Sequence, residues 1–332
     1  MPLFAKLSAD DQLPLLNSAS PWASTKEDLE QLWNCPFTQA ITTRTSTLAG
    51  YPDDPSKHQV AFFGSKSSIN SFGFSPYRLE QYLEWIKSIV SADPHRKRVI
   101  ISIGASEERE LEQALSLLRD FANELKVSLG VEFNASCPNL NGSPPPAYLP
   151  SLLESYLRVF ARYASPRLQI GIKLPPYTYE EQIVSVIRTI EKVSDDTDDK
   201  IEVISFLTSA NTLGQGLIFS SQITDPPQPD DRVAQKSSKA ATEEFGVPTG
   251  YGGLAGETVH QLSLGNVHRL RSLQNSSTNP RVKGITLIGV GGVCDAESAQ
   301  RFRRAGADAV AVATAFGREG IEIFRKIRSG PS

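Results

Sequence analysis

The 332-residue chain is poor in cysteine, with only Cys35, Cys137 and Cys294. Their number is odd and their spacing matches no zinc site, which argues against a disulfide framework or a zinc site, and a reducing, cytoplasmic setting is expected. The four histidines, His58, His95, His260 and His268, show no ligand spacing, so no bound metal is expected. No apolar run approaches the ~20 residues a membrane span needs. The opening MPLFAKLSADDQL has neither the basic start and apolar stretch of a signal peptide nor the arginines of a mitochondrial address. A basic surplus is also missing: 34 Lys and Arg against 37 Asp and Glu give a net charge of −3, which argues against a nucleic-acid partner. There is no Walker A motif, no HExxH, no GxGxxG opening the first strand–helix turn and no internal repeat.

What is present is an alternation of short apolar runs and helical patterns. Hydrophobic residues make up 39% and charged residues 21%, enough for a large core. Six runs read as strands covered on both faces: Val99–Ile103, Ser128–Phe133, Leu168–Lys173, Glu202–Leu207, Ile285–Val290 and Ala309–Ala313. Two weaker candidates, Gln39–Thr43 and Ser67–Ser71, precede them. Helical spacing is found over Thr25–Trp33, Tyr77–Val90, Ser106–Leu125, Ala147–Tyr163, Tyr179–Val193, Thr258–Leu273, Ala296–Ala305 and Glu319–Ile327. Ser106 is the expected cap of its helix. Eight strand–helix units predict one α/β domain over residues 1–332, a (β/α)8 TIM barrel, with a doubly wound sheet as the alternative. A polar, Pro-rich stretch at about 213–256 is expected as an inserted loop region after the sixth strand, and NSSTNP (Asn275–Pro280) as a solvated turn.

Barrel enzymes gather their chemistry where strands end. The residues just past the predicted strands are Arg44 and Thr45, Asn70 to Gly73, Asn134, Cys137 and Asn139, Lys173, Asn211 and Thr212, Gly291 and Gly292, and Ala313 and Thr314. Each has a bland alternative: an asparagine can cap a turn, Arg44 can be a surface arginine, and isolated cysteines are usually small buried hydrophobes. Four asparagines at one predicted face suit a flat heterocycle, because amides offer donors and acceptors in a plane. Lys173 closes an apolar strand, where an unpaired charge is costly without a use. Cys137 comes after a strand in Ser-Cys-Pro-Asn, before a Gly/Pro-rich segment, placed like a base under a lid. Cys35 and Cys294 lack such a setting and read as structural. Gly291-Gly292 with Thr314 reads as a phosphate cradle made of backbone N–H groups.

Several segments carry a resemblance: SINSFGF (Ser68–Phe74), FNASCPN (Phe133–Asn139), GIKLPPY (Gly171–Tyr177), TSANTLGQGL (Thr208–Leu217), GYGGLAG (Gly250–Gly256), GVGG (Gly289–Gly292) and ATAFGREG (Ala313–Gly320). In these the chain resembles the dihydroorotate dehydrogenase family, in its cytosolic, fumarate-dependent class 1A branch, over nearly its whole length. The resemblance implies an FMN-binding barrel that oxidises dihydroorotate to orotate, with fumarate as acceptor, in pyrimidine biosynthesis, and a homodimer. It implies Cys137 as the base for the C5 proton and Lys173 beside the flavin. It places Arg44, Asn70, Phe72, Gly73, Phe74, Asn134, Asn139, Asn211 and Thr212 at the substrate. It places Ala19, Ser20, Arg44, Thr45, Asn134, Lys173, Gly253, Gly291, Gly292, Ala313 and Thr314 at the cofactor. Three departures stand out: Arg44 where the family usually carries a lysine, Ala313-Thr314 for its Gly-Thr, and Asn-Ser-Ala-Ser-Pro at 17–21 for its Asn-Ala-Ser-Gly. Arg44 keeps open a relative acting on another dihydropyrimidine; a flavin-binding paralogue without turnover is the third reading.

Overall fold

Twelve strands form two sheets in the computed structural model, which describes residues 3–4, 11–91, 97–137, 144–198, 200–224 and 244–329. In chain order the strands are β1 (Leu15–Asn17), β2 (Ala40–Thr42), β3 (Val60–Phe63), β4 (Ser67–Asn70), β5 (Arg98–Ile103), β6 (Leu129–Asn134), β7 (Leu168–Leu174), β8 (Phe206–Ser209), β9 (Leu213–Gly216), β10 (Gly252–Gly256), β11 (Thr286–Val290) and β12 (Ala309–Val312). Eight of them close a parallel barrel in the order β1-β12-β11-β8-β7-β6-β5-β2, and β3-β4-β10-β9 make a separate antiparallel sheet.

The TIM barrel was expected, but one of its members was not. Ser67–Asn70 belongs to the small sheet, paired antiparallel with Val60–Phe63 and Gly253–Gly256. Its place in the barrel is taken by β1, whose Leu15, Leu16 and Asn17 lie against Val310, Ala311 and Val312. A three-residue strand buried at every position shows no alternation, so its sequence carries no period to detect. At 213–256, the two ends are strands β9 and β10, with Leu213 against Leu254 and Gly216 against Gly252; residues 225–243 of that stretch lie outside the described residues.

The helices that clothe the barrel keep to their apolar spacing. They are α1 (Lys26–Asn34), α2 (Leu79–Val90), α3 (Glu108–Leu125), α4 (Pro150–Tyr163), α5 (Glu180–Asp195), α6 (His260–Ser276), α7 (Pro280–Gly284), α8 (Ala296–Ala305), α9 (Thr314–Glu319) and α10 (Glu322–Ser329). In α1, Thr25 Oγ1 accepts from Asp28 N at 3.2 Å and Asp28 Oδ2 accepts from Thr25 N at 2.9 Å, a reciprocal cap. In α2, Leu79, Tyr82, Leu83, Ile86, Ile89 and Val90 are buried against the barrel. Two local expectations are corrected. Glu107, not Ser106, occupies the cap of α3, because Ser106 N and Oγ both donate to Glu110. NSSTNP is only partly solvated: Asn275, Ser276, Thr278 and Pro280 are exposed, but Ser277 and Asn279 are buried, and Asn279 starts α7 by accepting from Arg281 N.

The barrel wall sorts residues by parity, since neighbours on a strand face opposite ways. Val99 and Ile101 join the core beneath the helices, while Ile100 joins the inner cluster with Leu16, Phe206, Ile288, Ala309 and Ala311. Gly171 leaves room for the Phe206 ring; a Cβ there would lie 2.4 Å from it. The inner cluster also takes in Leu3 and Phe4. Beyond it along the same strands, Ser102, Glu132, Lys173 and Thr208 are buried polar groups, and they lead to the site.

Candidate active site

Where the barrel strands end, a cavity opens with an empty volume of about 1050 Å³ including its mouth. Its floor is made of residues just past the strands: Ser18 to Trp22 after β1, Arg44 and Thr45 after β2, Asn134 and Cys137 at β6, Lys173 on β7, Ala210 to Thr212 after β8, Gly291 to Cys294 after β11, and Ala313 to Ala315 after β12. The small sheet and the loop after it add Lys66, Ser68, Asn70, Phe72, Gly73, Phe74, Ala255 and Gly256.

Lys173 is 3% exposed. Its Nζ donates to Ser18 Oγ at 2.8 Å and to the Ala19 carbonyl at 3.4 Å. Burial pushes its pKa below the ordinary lysine value, and the Glu132 carboxylate works in the opposite direction. Glu132 is buried too, accepting from Thr208 Oγ1 at 2.7 Å and from Ser102 Oγ at 3.4 Å. A lysine at the cavity floor and a glutamate behind it therefore share the barrel interior.

The asparagines form a chain of amides. Asn211 Nδ2 donates to Asn134 Oδ1 at 3.2 Å and to Ser136 Oγ at 3.0 Å, and Asn134 Nδ2 donates to Thr45 Oγ1 at 3.1 Å. Asn70 reaches the cavity from the small sheet, its Nδ2 donating to the Gly253 carbonyl at 3.4 Å. Arg44 is buried, its guanidinium held by loop backbone: Nη2 donates to the Phe74 carbonyl at 3.0 Å and the Gly73 carbonyl at 3.3 Å, and Nη1 to Ser24 Oγ at 3.3 Å. The guanidinium also lies 5.3 Å from the centre of the Phe72 ring. Gly73 is needed there, because a Cβ would meet the Tyr51 ring at 2.2 Å.

Just after β11, Gly291 and Gly292 take φ of +126° and +74°, conformations that favour glycine. Thr314 Oγ1 lies 3.1 Å from Ser68 Oγ. Ser20 Oγ, on the cavity wall, is buried with no hydrogen-bond partner among the described residues. Cys137 is half-buried and forms no disulfide.

Most of the expected residues thus meet at one cavity: Ala19, Ser20, Arg44, Thr45, Asn70, Phe72, Gly73, Phe74, Asn134, Cys137, Lys173, Asn211, Thr212, Gly291, Gly292, Ala313 and Thr314. Asn139 lies outside the described residues. Gly253 does not line the cavity; it pairs with Asn70, and its strand neighbours Ala255 and Gly256 face inward instead. Cys294, read as structural, is on the cavity wall. Sequence reasoning passed over Ser18, Trp22, Lys66 and Ser68. Ser18 comes directly after the strand that has no periodic signal, Ser68 belongs to the strand assigned to the wrong sheet, and Lys66 directly precedes that strand. Glu132 had a signal: a glutamate inside the apolar run LGVEFN.

A protein-family model described as "Dihydroorotate dehydrogenase" matches residues 12–330. Among curated proteins, the chain is 27% identical over 318 residues to a protein of Streptococcus agalactiae serotype V, covering 94% of this chain and 86% of that one. It is 26% identical over 317 residues to one from Streptococcus uberis and 27% over 320 residues to one from Streptococcus pyogenes serotype M1, with the same coverage. All three are named "Putative dihydroorotate dehydrogenase A (fumarate)".

Proposed function

The chain belongs to the dihydroorotate dehydrogenase family, and from that premise we propose that it oxidises dihydroorotate to orotate, with FMN held in the cavity and fumarate as electron acceptor. The observation that carries the reading is the convergence of Asn70, Asn134, Asn211, Cys137 and the buried Lys173 on one cavity. A planar pyrimidine needs in-plane donors and acceptors, and the amides supply both. The acceptor rests on the printed names of the relatives.

The residues present fit FMN. The volume suits a flat ring system with a small substrate beside it. The cradle at Gly291 and Gly292 has no room for side chains: Cβ atoms there would come within 2.3 Å of Ser263 Oγ and 2.9 Å of His260 Cβ. Ser20 Oγ is a buried hydroxyl that lacks a partner among the described residues. Lys173 has three N–H donors and bonds to two protein oxygens, leaving one, among the described residues, for a ligand.

When bound, the flavin supplies the hydride acceptor. Cys137 Sγ takes the C5 proton of the substrate, acting as general base. Asn70, Asn134, Asn211 and Thr212 orient the pyrimidine, and Lys173 puts fixed positive charge where negative charge develops. Phe72, Phe74 and Arg44, from the loop after β4 and the end of β2, keep water from the reacting face. One observation favours a second reading, a different dihydropyrimidine as substrate: the Arg44 guanidinium holds two loop carbonyls through Nη2 and the Ser24 hydroxyl through Nη1, a span between two nitrogens that a single lysine ammonium does not reproduce.

The test is direct. Purified protein should be yellow and release FMN on denaturation, and turnover should be measured on dihydroorotate and dihydrouracil with fumarate, quinone and NAD as acceptors. A colourless protein that takes up no FMN refutes the reading; turnover of dihydrouracil alone selects the second one.

A further inference from the structure

Behind the glycine pair lies His260, the first residue of α6, only 4% exposed. Its Nδ1 is 2.8 Å from the Gly291 carbonyl, and its Nε2 is 3.0 Å from Arg301 Nε on α8. Arg301 in turn is paired with Glu297, Nη1 to Oε1 at 2.6 Å. The Phe302 ring meets the imidazole edge-on, with centroids 5.4 Å apart.

The partners fix the proton. A carbonyl cannot donate, so Nδ1 carries the hydrogen; a guanidinium N–H cannot accept, so Nε2 offers its lone pair. Arg301 therefore selects the Nδ1–H tautomer, and Glu297 holds Arg301 in place to do so. The effect reaches the cavity through one peptide unit. In a trans peptide, C=O and N–H point in opposite directions. With the Gly291 oxygen drawn toward His260, the N–H of Gly292 is turned the other way, and Gly292 lines the cavity. Gly292 cannot evade this by carrying a side chain, since a Cβ would meet His260 Cβ at 2.9 Å and Nδ1 at 3.1 Å.

We propose that His260 is a positioning residue that aims the Gly292 amide at the phosphate group of the bound cofactor, with Arg301 and Glu297 setting its tautomer. The inference deepens the FMN reading and rests on it. It concerns the phosphate alone, so it separates FMN from riboflavin, which has the same ring and no phosphate.

The experiment titrates both flavins into apoprotein, monitored by fluorescence quenching, for wild type, His260→Gln, His260→Asn and Arg301→Met. An asparagine amide nitrogen sits where Nδ1 does and keeps the donor to Gly291. A glutamine reaches Arg301 instead and leaves Gly291 without a donor. His260→Gln should weaken FMN binding about tenfold, one lost hydrogen bond, while riboflavin binding stays within about twofold. His260→Asn should hold both flavins within about threefold of wild type. Arg301→Met, a change at a half-exposed side chain, frees the tautomer and should lower the FMN-to-riboflavin affinity ratio about threefold. That variant decides the matter if the glutamine protein does not fold. Equal losses for both flavins, an unmoved ratio, or an asparagine variant as poor as the glutamine one overturns the proposal. Wild-type protein that binds no FMN overturns the functional reading itself, whereas normal FMN binding with an unmoved ratio overturns only the role of His260.

Discussion

Replacing Arg44 by lysine separates two roles that the site superimposes on one side chain. The guanidinium makes three hydrogen bonds, to the Phe74 and Gly73 carbonyls and to Ser24 Oγ, at 3.0, 3.3 and 3.3 Å. A lysine ammonium is one nitrogen on a shorter stem and cannot stand at both the Nη1 and Nη2 positions, so held by Ser24 Oγ it gives up the two loop carbonyls. Both side chains bury a positive charge, so that cost largely cancels in the comparison. Hydrogen bonds to charged groups contribute about 1.5–3 kcal/mol each at good geometry, and two long ones lost together come to roughly 2 kcal/mol. That is roughly a 30-fold fall in the ratio of folded to unfolded protein. Urea unfolding of the apoprotein measures it without any assumption about substrate. A change below about 0.5 kcal/mol, the size of an ordinary surface substitution, refutes the clamp. The catalytic arm is independent. If dihydroorotate is the substrate, the lysine variant, which restores the residue the resemblance leads one to expect, keeps or improves turnover. If another dihydropyrimidine is the native substrate, its reaction should fall at least about tenfold as the planar guanidinium is lost. Activity indifferent to both lysine and alanine would mean that Arg44 takes no part in the reaction.

Single residues elsewhere supply two more predictions. Cys137→Ala should slow reduction of bound flavin by dihydroorotate by at least about 100-fold, the low end of a general-base contribution, while FMN stays bound; a wild-type rate in stopped flow returns the thiol to the structural class. Burial holds the Tyr82 and Tyr177 phenols above the ordinary tyrosine pKa, so above about pH 10 the unfolded chain loses protons that the folded one keeps, and stability falls as pH rises; urea midpoints at rising alkaline pH should decline, and Tyr177→Phe should flatten that decline.

The elements that could be read from the sequence are those whose burial is one-sided and periodic. Helix α2 shows its buried stripe as Leu79, Tyr82, Leu83, Ile86 and Val90 because a helix against a sheet hides only one face. Strands β5, β6 and β7 are visible as largely apolar runs because helices cover one side and the barrel interior the other. Knowing only that barrel chemistry collects at strand ends, one could gather Asn134, Cys137, Lys173 and Gly291 from the sequence alone. What the sequence did not carry is partnership. Nothing local in Ser67–Asn70 says whether it pairs parallel in the barrel or antiparallel with Val60–Phe63, because register is a property of two chain segments and not of one. Arg44 and Phe74 are thirty residues apart, Glu132 and Thr208 seventy-six, and His260 and Arg301 forty-one. Each of those hydrogen bonds fixes the direction of a polar group that composition and spacing leave free, and only the closed barrel brings the two ends within reach.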